Sequence, residues 1–332
     1  SVGAAAGADG AVDGAAEEVP YDFAVLATGS SAFVPPIDGK DRPGVFVYRS
    51  MEDLNAMLAY QKEHGVTSAA VIGGGLLGLE AAKAVADMGC ESHIVEFADT
   101  LMCRQIDAGG HGALVGKIED LGLKVHCGAR TSKFAGEGED GPVTALEFSN
   151  EGWDPLEVGM VVVSAGIRPR DELARDGGIA VGERGGIVVD DLLRTSDDRV
   201  FAIGECALHE NFIYGLVAPG YTMAKAAAKN VVAACAAETG KFFATADDAA
   251  EAEAAGTFTG ADMSTKLKLL GVDVASFGVN QPRPDDEDVT ELVWDDRLDG
   301  VYRKLILNKA GTLLRGGILV GDDDDYAEVH GL

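Results

Sequence analysis

Gly73, Gly75 and Gly78 have the clearest chemical spacing in this chain. They spell G-x-G-x-x-G directly after the apolar run Ala69-Ala70-Val71-Ile72. Gly73 permits a tight turn, Gly75 lets the main chain approach a pyrophosphate, and Gly78 lets a helix pack closely on a strand. Leu76 and Leu77 open the helix that follows, where backbone N–H groups and the helix dipole favour an anion. Glu96 ends the next apolar run, His93-Ile94-Val95. A carboxylate at that point, roughly 20 residues beyond the first glycine, accepts the ribose hydroxyls of NAD. It repels the extra phosphate of NADP, and no Arg follows directly to offset it.

Such chemistry needs a strand before the glycines, a helix after them, and a second strand to carry the acid. Apolar patterning predicts all three: a strand over Ser68–Ile72, a Gly- and Ala-rich helix from about Leu76 to Met88 stopped by Gly89, and a strand over Glu91–Phe97. A ligand-free glycine-rich helix start would share the glycines without the acid in register. Elsewhere, Leu54, Met57 and Leu58 predict a helix over Glu52–Tyr60, and a second is expected near Gly112–Leu121, ended by Gly122. Strands are expected at Tyr21–Thr28, Lys124–Cys127, Val143–Phe148, Glu157–Ser164 and Val200–Ile203. The alternation up to about Cys127 predicts a parallel sheet with antiparallel strands added after it. A long helix is expected from Gly220 to about Ala237, with Pro219 near its first turn and Gly240 as its stop. After Thr265, the runs Val289–Trp294, Val301–Leu307 and Leu313–Val320 predict an antiparallel meander, with a hairpin turn at Asn308–Gly311.

Composition narrows the function classes. The chain has 332 residues, enough for about two domains, and its 47% hydrophobic content is that of a packed globular chain. The net charge of −28 repels phosphate backbones and anionic headgroups, which argues against nucleic-acid and membrane-surface partners. No apolar run reaches the roughly 20 residues of a membrane span. Cys90, Cys103, Cys127, Cys206 and Cys235 contain no C-x-x-C pair and read as ordinary thiols of a reducing compartment. The six histidines, His64, His93, His111, His126, His209 and His330, show no metal-ligand spacing, so no metal site is expected. His93 reads as structural, His111 as a surface residue, and Asp322 to Asp325 as a solvated acidic tail. Residues 1–18 carry no basic segment followed by an apolar one. The expected location is cytoplasmic, or an organelle if a leader precedes Ser1.

Weaker signals gain meaning from their order. They are Ala27-Thr28-Gly29, Ser164-Ala165-Gly166-Ile167-Arg168-Pro169, Arg194-Thr195-Ser196, and Ala202-Ile203-Gly204-Glu205. In this order around the central glycine motif, they resemble the flavoprotein reductases with two dinucleotide-binding domains, related to glutathione and ferredoxin reductases. Further stretches resemble the large subunit of NAD(P)H-dependent assimilatory nitrite reductases. Among them are Tyr48-Arg49, Gly204-Glu205-Cys206, Gly215-Leu216-Val217-Ala218-Pro219-Gly220-Tyr221, Leu267–Val274 and Gly316–Asp322.

The resemblance implies hydride transfer from NADH to FAD, then single electrons passed onward. It assigns the NAD site to Gly73, Gly75, Leu76, Leu77, Gly78 and Glu96, with Glu80 and Gly166 near the nicotinamide. It assigns FAD contacts to Thr28, Gly29, Arg49, Glu205 and Ala218, where Glu205 replaces the family's usual Asp. The flavin takes the hydride, so no catalytic side chain is expected, and Cys206 reads as packing.

The implied fold is α/β: a two-dinucleotide-binding-domain flavoprotein reductase with an incomplete FAD domain and a small C-terminal α+β unit. The expected divisions are 1–20 poorly ordered, 21–50 and 171–240 for FAD, 51–170 for NAD, 241–256 an acidic Ala-rich linker, and 257–332 an interface domain. The family's first FAD βαβ would precede Tyr21, so the chain is expected to be a fragment of a longer protein. Iron–sulfur and sirohaem groups are expected only in domains outside it. Electron-accepting iron–sulfur or sirohaem domains, or a separate protein, are the expected partners, and the meander suits a homodimer. Two other readings are an NADH-dependent ferredoxin- or rubredoxin-type flavin reductase and a non-catalytic NAD-binding remnant.

Overall fold

The computed structural model describes residues 18–239, 256–269, 271–283 and 285–331. The N-terminal segment up to residue 17 and the acidic stretch 241–255 lie outside the described residues.

The chain opens with β1 (Ala24–Leu26), β2 (Ser30–Ala32), β3 (Val45–Val47) and α1 (Met51–His64). The glycine motif falls between β4 (Ser68–Ile72) and α2 (Leu76–Asp87), and β5 (Glu91–Val95), α3 (Ala108–Asp120) and β6 (Lys124–His126) follow. Next come β7 (Thr131–Gly136), β8 (Val143–Phe148), β9 (Leu156–Glu157), β10 (Met160–Val163), β11 (Ile167–Pro169) and α4 (Glu172–Asp176). The chain then runs through β12 (Ile187–Val189), β13 (Val200–Ala202), β14 (Ala207–His209) and α5 (Val217–Thr239). It finishes with β15 (Thr265–Leu269), β16 (Val272–Gly278), β17 (Thr290–Asp296), β18 (Val301–Leu307), β19 (Leu314–Val320) and α6 (Tyr326–His330). No helix among the described residues is long and apolar enough to cross a membrane.

Two compact units result. The smaller comprises Ser1–Ser30 with Pro169–Ala261, and the larger Ser31–Arg168 with Asp262–Leu332. One boundary between these units falls at 30/31. The reason is β3, which hydrogen-bonds to β10 in the larger unit and carries the segment before α1 with it.

The larger unit is built on a five-stranded parallel sheet in the order β3-β10-β4-β5-β6. Of the antiparallel strands expected after Cys127, β7, β8 and β9 do pair antiparallel, but β10 does not. Met160–Val163 returns to the parallel sheet, pairing with β4 through Met160↔Ala69 to Val163↔Ile72. All four of its residues are buried, as a strand covered on both faces requires. One face meets the helices: Ala69, Val71, Ile94, Met160 and Val162 pack with Leu79, Ala81, Ala82 and Val85 of α2. The other face, with Ala70, Ile72, Val95, Val161 and Val163, packs with Phe134, Val143 and Leu146 of β7 and β8. Full burial of a side chain such as Leu79 contributes roughly 1.5–3 kcal/mol.

Helix ends are set by local chemistry. Ser50 caps α1 in a capping box: its hydroxyl accepts from the Asp53 N–H while the Asp53 side chain accepts from the Ser50 N–H. α3 begins at Ala108, four residues earlier than the sequence pattern suggests, because the Asp107 side chain accepts from the Gly110 N–H at 3.0 Å. α5 likewise begins at Val217. Pro219 sits inside its first turn, where a missing N–H costs nothing.

The C-terminal strands form an antiparallel sheet in the order β15-β16-β19-β18-β17. β17, β18 and β19 form the expected meander, and β16 with β15 extends it along the free edge of β19. Tyr302, Ile318 and Val320 of this sheet belong to the same core as Leu114 and Ile118 of α3. β17 is an edge strand whose Leu292, Val293 and Trp294 are all exposed. The expected acidic tail is a paired corner instead. Asp323 is buried and bonded to Lys266, while Arg303 reaches both Asp322 and Asp325.

The smaller unit holds two parallel pairs, β1 with β13 and β12 with β14. Its core gathers Leu193, Ala202, Cys206, Tyr214, Met223, Ala227 and Phe258. α5 packs on a single 3-10 turn at Gly204–Cys206.

Candidate functional site

The glycine motif forms a tight cradle in the larger unit. Gly73 has a φ of +117°, a left-handed conformation that favours glycine. Its N–H donates to Val95 O at 2.9 Å, tying the turn to β5. A methyl group on Gly78 would lie 1.9 Å from Gly73 O, and one on Gly73 would lie 2.3 Å from Ser164 O. Both positions are closed by backbone, as close helix–strand packing demands. Gly75 is the opposite case: a methyl group there would meet nothing within 4 Å. Gly75 is also the N-cap of α2, extended, with no side-chain cap bond to the helix. Uncapped amides at a helix start, with open space beside them, constitute an anion-binding geometry.

Glu96 sits at the mouth of this cradle. Its carboxylate accepts from the N–H of Gly74 and, at 2.7 Å, from the N–H of Ala98. The acid is thereby fixed against the glycine turn. Two contributions were not legible beforehand: the use of the Gly74 amide, and the Ser164 carbonyl that closes over Gly73. Ser164 reaches this place because its N–H donates to Ile72 O at 2.8 Å, extending the β10–β4 ladder by one residue. Gly166 follows with a φ of +113° and open space beside it, its carbonyl accepting from the Phe33 N–H. Leu77 and Glu80 are exposed on α2, Leu76 is half-buried, and Gly78 is buried.

Cys127 lies near the same acid. Burial, with Glu96 and Asp99 nearby, pushes its thiol up to about 11, so at neutral pH it is a protonated thiol rather than a nucleophile. The buried His93 bonds to Glu91 at 2.8 Å and lies 3.1 Å from His126, a structural arrangement. His111 is not merely at the surface: its Nδ1 accepts from the Leu101 N–H at 3.0 Å. Burial lowers the pKa of His93, His111 and His126 alike.

The smaller unit brings together a second set. Parallel pairing of Leu26 with Ala202 sets the Thr28-Gly29-Ser30 turn beside the Gly204–Cys206 turn. The buried Ser30 hydroxyl donates to Glu205 Oε2 at 2.7 Å, and Thr28 Oγ1 donates to Arg170 O. Gly29 and Gly204 have φ of +68° and +74°, and a methyl group on either would meet nothing within 4 Å. Gly204 donates its N–H to Met223 Sδ, which holds α5 against the turn. Ala218 is exposed in the first turn of α5, not before the helix as the sequence suggested. Ser30 is a further residue the sequence reading missed. Arg49 lies in the larger unit, exposed, with its backbone N–H donating to Asp53. Cys206 is buried and bonded to Ile203 O and Leu26 O, a packing role.

Comparison with known proteins agrees with this construction. A family model described as pyridine nucleotide-disulphide oxidoreductase matches residues 4–235. One described as the rubredoxin NAD+ reductase C-terminal domain matches residues 264–332. The NAD(P)H nitrite reductase large subunit of Klebsiella oxytoca is 48% identical over 317 residues, covering 95% of this chain and 30% of the relative. The NADH nitrite reductase large subunit of Escherichia coli (strain K12) is 41% identical over 317 residues, covering 95% of this chain and 34% of the relative. This chain thus spans about a third of the length of these curated relatives. Among solved structures, a NAD-dependent persulfide reductase from A. fulgidus has the same fold. It superposes with a TM-score of 0.76 at 24% identity, over 94% of this chain and 56% of its own. With its glycine cradle, its acid at the end of β5 and a family match over most of its length, the chain belongs to the pyridine nucleotide-disulphide oxidoreductase family.

Proposed function

We infer that this chain is the NADH-oxidising, FAD-dependent electron-input module of a nitrite reductase large subunit. The observation that carries the reading is the Gly73–Gly78 cradle. Its only open glycine, Gly75, lies at an uncapped helix start, and its acid is already oriented by the Gly74 and Ala98 amides. The likeness to nitrite reductase large subunits over 95% of the chain supports the choice of parent enzyme.

In this reading, α2 holds the dinucleotide pyrophosphate at the amides following Gly75. Glu96 accepts the ribose hydroxyls and disfavours a 2′-phosphate. Glu80 and Gly166 border the nicotinamide. Thr28, Gly29, Glu205 and Ala218 of the smaller unit would hold FAD, with the Ser30 hydroxyl fixing the Glu205 carboxylate. The open space at Gly29 and Gly204 suits a cofactor that approaches the backbone closely. The start of α5 stabilises negative charge on the ring system. When bound, FAD would supply a hydride acceptor able to pass electrons on one at a time. Iron–sulfur and sirohaem domains beyond this chain are the acceptors, and the whole enzyme takes nitrite to ammonium.

The match of residues 264–332 to a rubredoxin reductase domain favours one alternative, a reductase donating to a small redox protein. The visible spectrum of the purified chain, with and without NADH, is the first test. A yellow protein bleached by NADH removes the non-catalytic alternative, and a colourless chain that still binds NADH assigns the flavin to a longer parent that completes the FAD domain. A chain that binds no NADH in a fluorescence titration overturns the reading.

A further inference from the structure

The loop from Leu101 to Asp107 is attached at one end to the glycine cradle and at the other to the C-terminal sheet, all within the larger unit. Met102 donates its N–H to Gly74 O at 2.8 Å, and the Leu101 side chain packs so closely on Gly74 that a methyl group there would lie 2.5 Å from Leu101 Cδ2. Gly74 is the residue whose N–H binds Glu96. The loop therefore holds the carbonyl of the same residue whose N–H binds Glu96. Met102 has a φ of 48°, a left-handed conformation that a side chain adopts only when its surroundings hold it there.

From Met102 the chain makes one helical turn, with the Gln105 and Ile106 N–H groups donating to Met102 O. The carbonyls at the end of such a turn lack amide partners of their own. Two side chains from the segment after β16 supply them. Asn280 Nδ2 donates to Arg104 O and Gln105 O, each at 3.0 Å. Gln281 Nε2 donates to Cys103 O at 3.0 Å and Ile106 O at 2.8 Å. Four consecutive carbonyls are thus gathered by two amide groups more than 170 residues away. At the far end of the loop, Asp107 accepts from Tyr302 Oη and Lys304 Nζ of β18.

We propose that Asn280 and Gln281 are positioning residues for the dinucleotide site: by clamping the Cys103–Ile106 carbonyls they hold Met102 on the Gly74 carbonyl, and so fix the residue whose N–H orients Glu96. The proposal rests on the reading of Gly73–Glu96 as an NADH site. It adds that the C-terminal sheet, which contributes none of the dinucleotide contacts, sets the affinity of that site.

The test uses the full chain with Gln281→Glu and Asn280→Asp. Each is nearly isosteric, removes both donors and turns carboxylate oxygens toward carbonyls. Arg303→Gln serves as the control, because it loosens the same sheet at the Asp322/Asp325 corner without touching the loop. Two readouts are followed: NADH affinity by fluorescence titration, and hydrogen exchange at the Met102 amide. Gln281→Glu and Asn280→Asp are each expected to raise the NADH Kd about ten-fold and to speed Met102 exchange. Arg303→Gln lowers the melting temperature and leaves both readouts in place. The proposal is overturned if Gln281→Glu keeps the parental Kd and exchange rate, or if Arg303→Gln shifts the Kd equally. If the unmodified chain binds no NADH, the functional reading fails instead, and Met102 exchange alone still decides whether Gln281 and Asn280 hold the loop.

Discussion

The cradle at Gly73 and the turn at Glu205 are built from very different lengths of chain. The glycines of the first lie between β4 and α2, and among the groups pressed directly on them only Ser164 comes from far along the sequence. The second depends on Ser30 meeting Glu205 across 175 residues, through the three-residue pairing of β1 with β13. In the cradle, backbone contact sets the geometry, with two glycines pressed against carbonyl oxygens. In the turn, a side-chain hydrogen bond sets it. The closed glycines of the first tolerate almost no added atom, whereas the glycines of the second tolerate added atoms and the Ser30 hydroxyl helps to set its acid.

The sharpest way to break this contrast is Gly78→Val. A side chain there must displace Gly73 O, so the helix separates from β4. Overpacking of this kind costs about 1–3 kcal/mol and more where backbone is in the way. NADH binding should be lost and the melting temperature should fall. Gly75→Ala, placed in open space, should leave the melting temperature unchanged while weakening NADH about ten-fold. If both variants behave alike, the distinction between closed and open glycines is wrong.

Glu96→Ala comes next. It leaves the Gly74 and Ala98 amides without their acceptor, at about 1–3 kcal/mol if they stay dry. NADH affinity should fall and the preference over NADPH should shrink. Equal binding of NADPH to the unmodified chain would contradict the role given to Glu96. In the smaller unit, Ser30→Ala should cost about 1 kcal/mol, since one hydrogen bond is lost with the backbone pairing intact. Flavin content should drop with it, and NADH affinity should not.

The smallest effect concerns pH. Burial lowers the pKa of both His93 and His126, so the unfolded chain takes up protons near 6.5 while the folded chain does so only further down. Their contribution to stability is complete above that value and is lost as pH falls below it. His126→Gln should flatten the decline of melting temperature between about pH 6.5 and 5. A profile as steep as the parent's would remove this pair from the account.

The same contrast governs how much could be read from the sequence. Ser68–Ile72, Gly73–Gly78 and Glu96 were legible because local periodicity and spacing fix them, and β4 begins and ends where its apolar run does. Thr28, Gly29 and Glu205 could be proposed only through resemblance, since three-residue strands carry no pattern of their own. The parallel placement of β10 was missed because a short apolar run pairs equally well in either direction until its neighbours are known. Asp322–Asp325 looked solvated because a run of like charge does not reveal Arg303 and Lys266 coming from other strands. Asn280 and Gln281 gave no signal, because ordinary polar residues in a turn do not disclose which carbonyls they meet.

The position of β10 also has a consequence in time. It lies between β3 and β4, yet it is the last of the five strands to be synthesised. A chain emerging as far as His126 already carries the three glycines, α2 and Glu96, but one edge of β4 has no neighbour and no carbonyl closes over Gly73. Folding of the nucleotide cradle must therefore wait for the return of Met160–Ser164, a long-range closure of the kind that slows folding. Until then the bare edge of β4, like the whole of β3, is open to wrong partners.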